Sequence, residues 1–203
     1  MLHFLETYMN KNEFGIHTVC SLYYDTDLYD IIRTSVEKPV YKEKLRLRSY
    51  GTPKKDDLVL LEIKKKFDGI VYKRRITLTL EQAHRYLTHH IKPGAPSQIL
   101  DEIDWFMQRY DPQPKVVLCC ERQALYGKDD PDFRVTFDFD IRWRDYALDL
   151  SKGSFGTKLI SGEHCLMEVK TEKTMPMWLV AFLAEKEIFP QLGCPQSLYQ
   201  VQS

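Results

Sequence analysis

Tyr41-Lys42-Glu43-Lys44-Leu45-Arg46-Leu47-Arg48-Ser49-Tyr50 puts a cation at every even position from 42 to 48, with Leu45 and Leu47 between them. Successive side chains of a strand point to opposite faces, so the run predicts a strand with one basic face and one apolar face. The pattern recurs along the chain. In Leu58–Lys66, Glu62, Lys64 and Lys66 oppose Val59, Leu61 and Ile63. In Phe133–Arg144, Arg134, Thr136, Asp138, Asp140 and Arg142 oppose Phe133, Val135, Phe137, Phe139, Ile141 and Trp143. In Cys165–Thr171, Glu168 and Lys170 oppose Met167 and Val169.

One such strand describes any antiparallel sheet with a solvated face. Four of them leave two arrangements open: a sheet with its charged face in water, and a barrel with a polar, ligand-holding interior. The charged faces are rich in arginine, whose planar fork matches phosphate oxygens, and they carry isolated carboxylates among the cations. A cationic lumen needs a polyanion, and triphosphate carries about four charges at neutral pH, which bidentate arginines orient. A divalent metal bridging phosphate oxygens needs a hard oxygen ligand such as Glu168. Phosphoryl transfer then relies on positioning and charge stabilisation, with no nucleophilic side chain.

Around these strands the pattern predicts a short amphipathic helix over Met1–Asn10, a strand over Thr18–Tyr24 and a helix over Thr26–Val36. Val71–Leu80 reads as the second arm of a hairpin, with Phe67-Asp68-Gly69 as its turn. Thr79 caps a helix running to about Thr88, and a second helix covers Ser97–Arg109. Lys115–Tyr126 is a strand, and Pro176–Ile188 an apolar helix. The sum is α+β, mostly antiparallel by loop length.

Composition narrows the function classes. At 203 residues the chain suits one domain with a substantial core. Its 29 Lys and Arg balance its 29 Asp and Glu, which argues against a general nucleic-acid coat. Five cysteines without CxxC spacing argue against a zinc site or a disulfide framework and point to a reducing, cytoplasmic setting. No run of about 18 apolar residues and no signal sequence is present, so no membrane span is expected. His89-His90 lacks ligand spacing, and Cys119-Cys120 reads as packing.

The blocks YKEKLRLRSYG (Tyr41–Gly51), LEIKKKFDGIVYKRR (Leu61–Arg75), CERQALYG (Cys120–Gly127), DFRVTFDFDIRWR (Asp132–Arg144) and LMEVKT (Leu166–Thr171) resemble the VTC domain. This is the polyphosphate polymerase domain of the CYTH-like triphosphate tunnel metalloenzymes, here in its standalone bacterial style. The resemblance runs from about Val19 to Pro190 and implies an antiparallel β-barrel, the triphosphate tunnel, with flanking helices. It implies transfer of the ATP γ-phosphate to a growing polyphosphate chain with Mn2+ or Mg2+. Arg46, Arg48, Lys64, Lys73, Arg122 and Arg134 would hold phosphates, with Lys170 beside them. Glu168 would be the metal ligand and Glu62 the next candidate.

Three departures accompany the resemblance. The family's opening strand with a Glu-x-Lys-Tyr-like motif has no counterpart, Leu198 falls near the place of a C-terminal lysine, and Cys120 stands where tyrosine is usual. They imply weak turnover with phosphate binding better preserved. A non-catalytic polyphosphate or inositol-phosphate binding module, a truncated inactive copy, and a triphosphatase or adenylate-cyclase-like enzyme of the same fold are the alternatives.

Overall fold

The computed structural model describes residues 1–94, 97–160, 164–190 and 198–202. In chain order come α1 (Leu2–Leu5), β1 (Met9–Lys11), β2 (His17–Asp25) and α2 (Asp30–Val36). Three strands follow: β3 (Tyr41–Tyr50), β4 (Leu58–Phe67) and β5 (Ile70–Thr79). Then come α3 (Leu80–His89), α4 (Gln98–Tyr110), β6 (Gln113–Gly127) and β7 (Arg134–Arg144). The remainder is β8 (Thr157–Lys158), β9 (His164–Lys170), α5 (Met177–Glu185) and β10 (Leu198–Gln202). Residues 19–119 and 143–157 form one compact unit, and residues 1–18, 120–142 and 158–203 another.

In the first unit the strand order is β6-β2-β3-β4-β5, antiparallel wherever the register is given. Register makes the two faces. Leu22, Leu47, Leu61 and Ile76 pair in a row across β2 to β5, and the next row is Tyr23, Arg46, Glu62 and Arg75. The apolar row lies in a core with Leu80, Ala83 and Tyr86 of α3 and Leu100, Ile103, Phe106 and Met107 of α4. Those spacings of three and four residues put one stripe of each helix on the sheet. Thr79 and Gln82 form a reciprocal capping box on α3, and the Ser97 hydroxyl accepts from the Leu100 N–H on α4. The hairpin turn has Asp68 at φ 44° and Gly69 at φ 83°, the pair of left-handed conformations that a two-residue turn requires. Glu43 points to the core side yet is 3% exposed; the Tyr41 and Tyr110 hydroxyls each donate to it at 2.9 Å.

In the second unit the order is β10-β9-β7-β6, with β1 against β6 and β8 against β7. Leu5, Met9, Phe133, Val135, Phe137, Met167, Val169, Leu179 and Phe182 make its core. Phe4 stacks on Phe182 at 4.2 Å between ring centroids, and Tyr8 on Trp178 at 4.4 Å. The α+β class and antiparallel sheet therefore stand, with five α-helices among the described residues.

Four expectations change. The strand path has two ends, β5 and β10, so the described residues form an open sheet and not the closed barrel expected: β5 has β4 as its single partner, and closure needs a ladder on its other edge. Met1–Asn10 is not one helix, because Met9, Asn10 and Lys11 pair with Gly127, Tyr126 and Leu125. The helix expected from Thr26 begins at Asp30, because the Asp25 carboxylate accepts from Thr26, Ile31 and Ile32 N–H and shapes the entry. In β7 the alternation holds to Phe137 and fails at Asp140, whose φ of 46° interrupts the pleat; Trp143 is then exposed and Arg144 buried. Most of the C-terminal stretch weighed above, residues 191–197, lies outside the described residues, as does Cys194.

Arg144 has a structural duty that its place in the motif block concealed. Its guanidinium donates to the carbonyls of Ala147, Asp149, Gly153 and Phe155 at 2.8–3.3 Å and lies 4.3 Å from the Phe155 ring. One side chain thus satisfies four carbonyls of the loop that follows β7. Arg144→Met should lower unfolding stability by about 2–3 kcal/mol, since the carbonyls lose a buried charged donor. Urea denaturation measures it, and a loss below about 0.5 kcal/mol would mean that the loop holds itself.

Candidate functional site

On the polar face of the first unit, Glu62 gathers three cations. It is 1% exposed although it lies opposite the core. Its Oε2 is 2.6 Å from Arg46 Nε and 4.0 Å from Arg48, and its Oε1 is 2.7 Å from Lys73 Nζ. Tyr23 and Ser21 on β2 extend the array: the Tyr23 hydroxyl accepts from Arg46 at 3.1 Å and the Ser21 hydroxyl from Arg48 at 3.2 Å. Register explains the grouping, because Tyr23, Arg46 and Glu62 occupy one row of paired positions and Ser21 is opposite Arg48.

The charge balance is positive. Burial pushes the Glu62 carboxyl up, but the Lys73 hydrogen bond and the Arg46 and Arg48 charges outweigh it and hold it below its ordinary value. Lys73 is shifted down: burial and the two arginines together exceed the pull of the one carboxylate. Lys44 pairs in register with Lys64, and Lys64 with Lys73. Burial, then Lys42 and Lys64, lower the Lys44 ammonium. Like charges directly opposite destabilise a sheet, so this face has a use for an anion. A cavity of about 350 Å3 opens on it, lined by Tyr23, Lys44, Arg46, Glu62, Lys64 and Lys73 among others.

The second unit holds the other expected residues. Arg122 donates to both oxygens of Asp138 at 2.6 Å. Glu168 Oε1 is 3.3 Å from Lys170 Nζ. Lys170 is directly opposite Arg134, and its ammonium is lowered by burial and by Arg134 and Arg122 against the pull of Glu168. Arg46, Arg48, Lys64, Lys73 and Glu62 thus meet in one unit, and Arg122, Arg134, Glu168 and Lys170 in the other. Tyr23, Ser21 and the partnership of Arg122 with Asp138 were not foreseen. Alternation in β2 puts Ser21 and Tyr23 on the polar side, and that was the available signal.

The family described as the VTC domain matches residues 3–201. The chain belongs to the VTC domain family. No curated protein sequence matches it. Among solved structures, a protein of Bacillus halodurans named as a candidate adenylate cyclase is similar in fold. It has TM-score 0.50 and 13% identity, over 86% of this chain and 75% of that one. The family match identifies the domain, and the structural likeness shows a shared fold.

Fit to a metal differs between the two carboxylates named for it. Among the described residues no three His, Cys, Asp or Glu side chains form a metal-binding group. A hard divalent ion that already carries phosphate oxygens needs only one or two protein carboxylates, and Glu168 can supply one. Glu62 has both oxygens against cations, an arrangement that repels a further positive ion. No helix among the described residues is long and apolar enough to cross a membrane.

The Glu62 cluster sets a pH dependence. Its carboxyl titrates lower in the folded than in the unfolded chain, so its stabilisation is complete above the unfolded value of about 4.3 and is lost as pH falls through the folded value. Glu62→Gln should cost about 2–3 kcal/mol at pH 7, toward the low side for one partner of a buried pair because its cations keep solvent contact. In urea titrations the gap between the two proteins should narrow as pH falls below the ordinary glutamate range, because the native carboxyl protonates last. A gap independent of pH would assign the loss to packing.

Proposed function

We propose that this VTC domain transfers the γ-phosphate of ATP to a growing polyphosphate chain. The observation that carries the reading is the excess of cations around a single buried carboxylate: Arg46, Arg48 and Lys73 converge on Glu62, with Lys44 and Lys64 beside them. A phosphate chain would take over the charges that Glu62 leaves uncompensated. The arginine forks, fixed by Glu62, Tyr23 and Ser21, are oriented before the ligand arrives, which lowers the reorganisation needed during transfer. Within the second unit, Arg134 and Lys170 would bind phosphate and Glu168 would hold Mn2+ or Mg2+. Such an ion would supply positive charge against the charge that develops on the phosphoryl group. A single domain in the cytoplasm belongs to the same proposal, resting on chain length and on the cysteine pattern.

One observation favours a second reading, a binding module for polyphosphate or inositol phosphates without turnover. Arg122, expected on the phosphates, spends one edge of its guanidinium, Nε and Nη2, on Asp138. That carboxylate competes with a phosphate for the same side chain.

Incubation with ATP and manganese separates the readings. Long chains identify the polymerase, free phosphate a triphosphatase, and neither product with retained ligand binding the module. For the polymerase, Glu168→Gln should reduce turnover by about 10²-fold or more, because an amide is a poor ligand for a phosphate-bound cation. The variant should still be stabilised against heat by millimolar tripolyphosphate. Full metal-dependent activity in that variant would remove Glu168 from the metal site.

A further inference from the structure

We infer that the cavity on the Glu62 face includes a subsite for the base of a nucleotide, with Tyr29, Ile32 and Val116 as its walls. This rests on the reading of that face as a phosphate site and states what the phosphates are attached to. The cavity has two chemistries. Lys44, Arg46, Lys64 and Lys73 line it with charge, while Tyr29, Ile31, Ile32, Val116 and Leu118 line it with apolar surface. A hydrated phosphate chain gains nothing from an apolar wall. A flat ring carried by the phosphates gains stacking and burial there.

The apolar side chains concerned are left open. Tyr29 is 44% and Ile32 42% exposed, while Ile31 beside them is 7% exposed and belongs to the core. Tyr29 is also held in an unfavourable conformation, φ 60° and ψ 34°, which a bulky residue rarely adopts. Its side chain does not cap α2. The cap is supplied by Asp25, whose buried carboxylate accepts from the Ile31 and Ile32 N–H groups at 2.9 and 3.0 Å. The Asp25 cap fixes the backbone that presents the ring, so capping the helix does not account for a tyrosine at this position. Lys115 Nζ lies 5.6 Å from the Tyr29 centroid and 2.6 Å from Asp27, so the ring is also positioned by an anchored cation. A strained, exposed aromatic fixed beside a cluster of phosphate-type cations is the arrangement that a base with a phosphate tail would complete.

Calorimetry with ATP and with tripolyphosphate, both in EDTA to prevent turnover, tests this. The wild-type chain should bind ATP more tightly than its charge alone accounts for. Tyr29→Gly, which removes the ring while relieving the backbone, should weaken ATP roughly tenfold and leave tripolyphosphate unchanged. Ile32→Ala should act in the same direction, and Tyr29→Phe should retain ATP affinity. Equal losses for both ligands, or no loss for ATP while tripolyphosphate binds, would overturn the base subsite alone. Failure of the wild-type chain to bind either ligand would overturn the phosphate reading and the subsite with it.

Discussion

Glu62 is a carboxylate with almost no solvent contact on a sheet face that otherwise carries cations. Without it, Arg46, Arg48 and Lys73 would repel one another across β3, β4 and β5, and the strands would pair against that repulsion. With it, they share one negative charge, are held in fixed directions and remain in net positive excess. Full neutralisation would leave a stable sheet with little pull on phosphate, and no neutralisation would leave a sheet that resists folding. One buried carboxylate to three cations lies between these limits.

That face exists because the other one is buried. The row Leu22, Leu47, Leu61 and Ile76 is packed into the core to which α3 and α4 contribute, which fixes the register to a single residue, since a slip of one position would turn arginines into the core. The apolar side of the sheet thereby determines where every cation points. Glu43, the one carboxylate of β3 directed to the core side, needs two tyrosine hydroxyls to be accommodated.

Much of this was legible because β3 and β4 keep a period-two pattern over most of their length and the turn from β4 to β5, Asp68-Gly69, is a residue pair with one backbone solution. The limits of α3 and α4 followed from Thr79 and Ser97 for the same local reason. What escaped depends on partners distant in sequence. Met9–Lys11 is a strand because Leu125–Gly127 offers it an edge. Asp140 breaks the alternation of β7 through a single backbone angle. Tyr23 and Ser21 join the site through pairing with β3, and Asp138 takes Arg122 through the neighbouring strand. Closure into a barrel could not be read from alternation, since an open sheet with one polar face gives the same pattern.

On this view the Glu62 face receives a phosphate chain. A crystal structure of the protein grown with tripolyphosphate tests it most directly. Phosphate density is expected in contact with Arg46, Arg48, Lys64 and Lys73, with the Glu62 contacts retained beneath it. A chain of phosphates bound elsewhere, with that face holding only solvent, would contradict it.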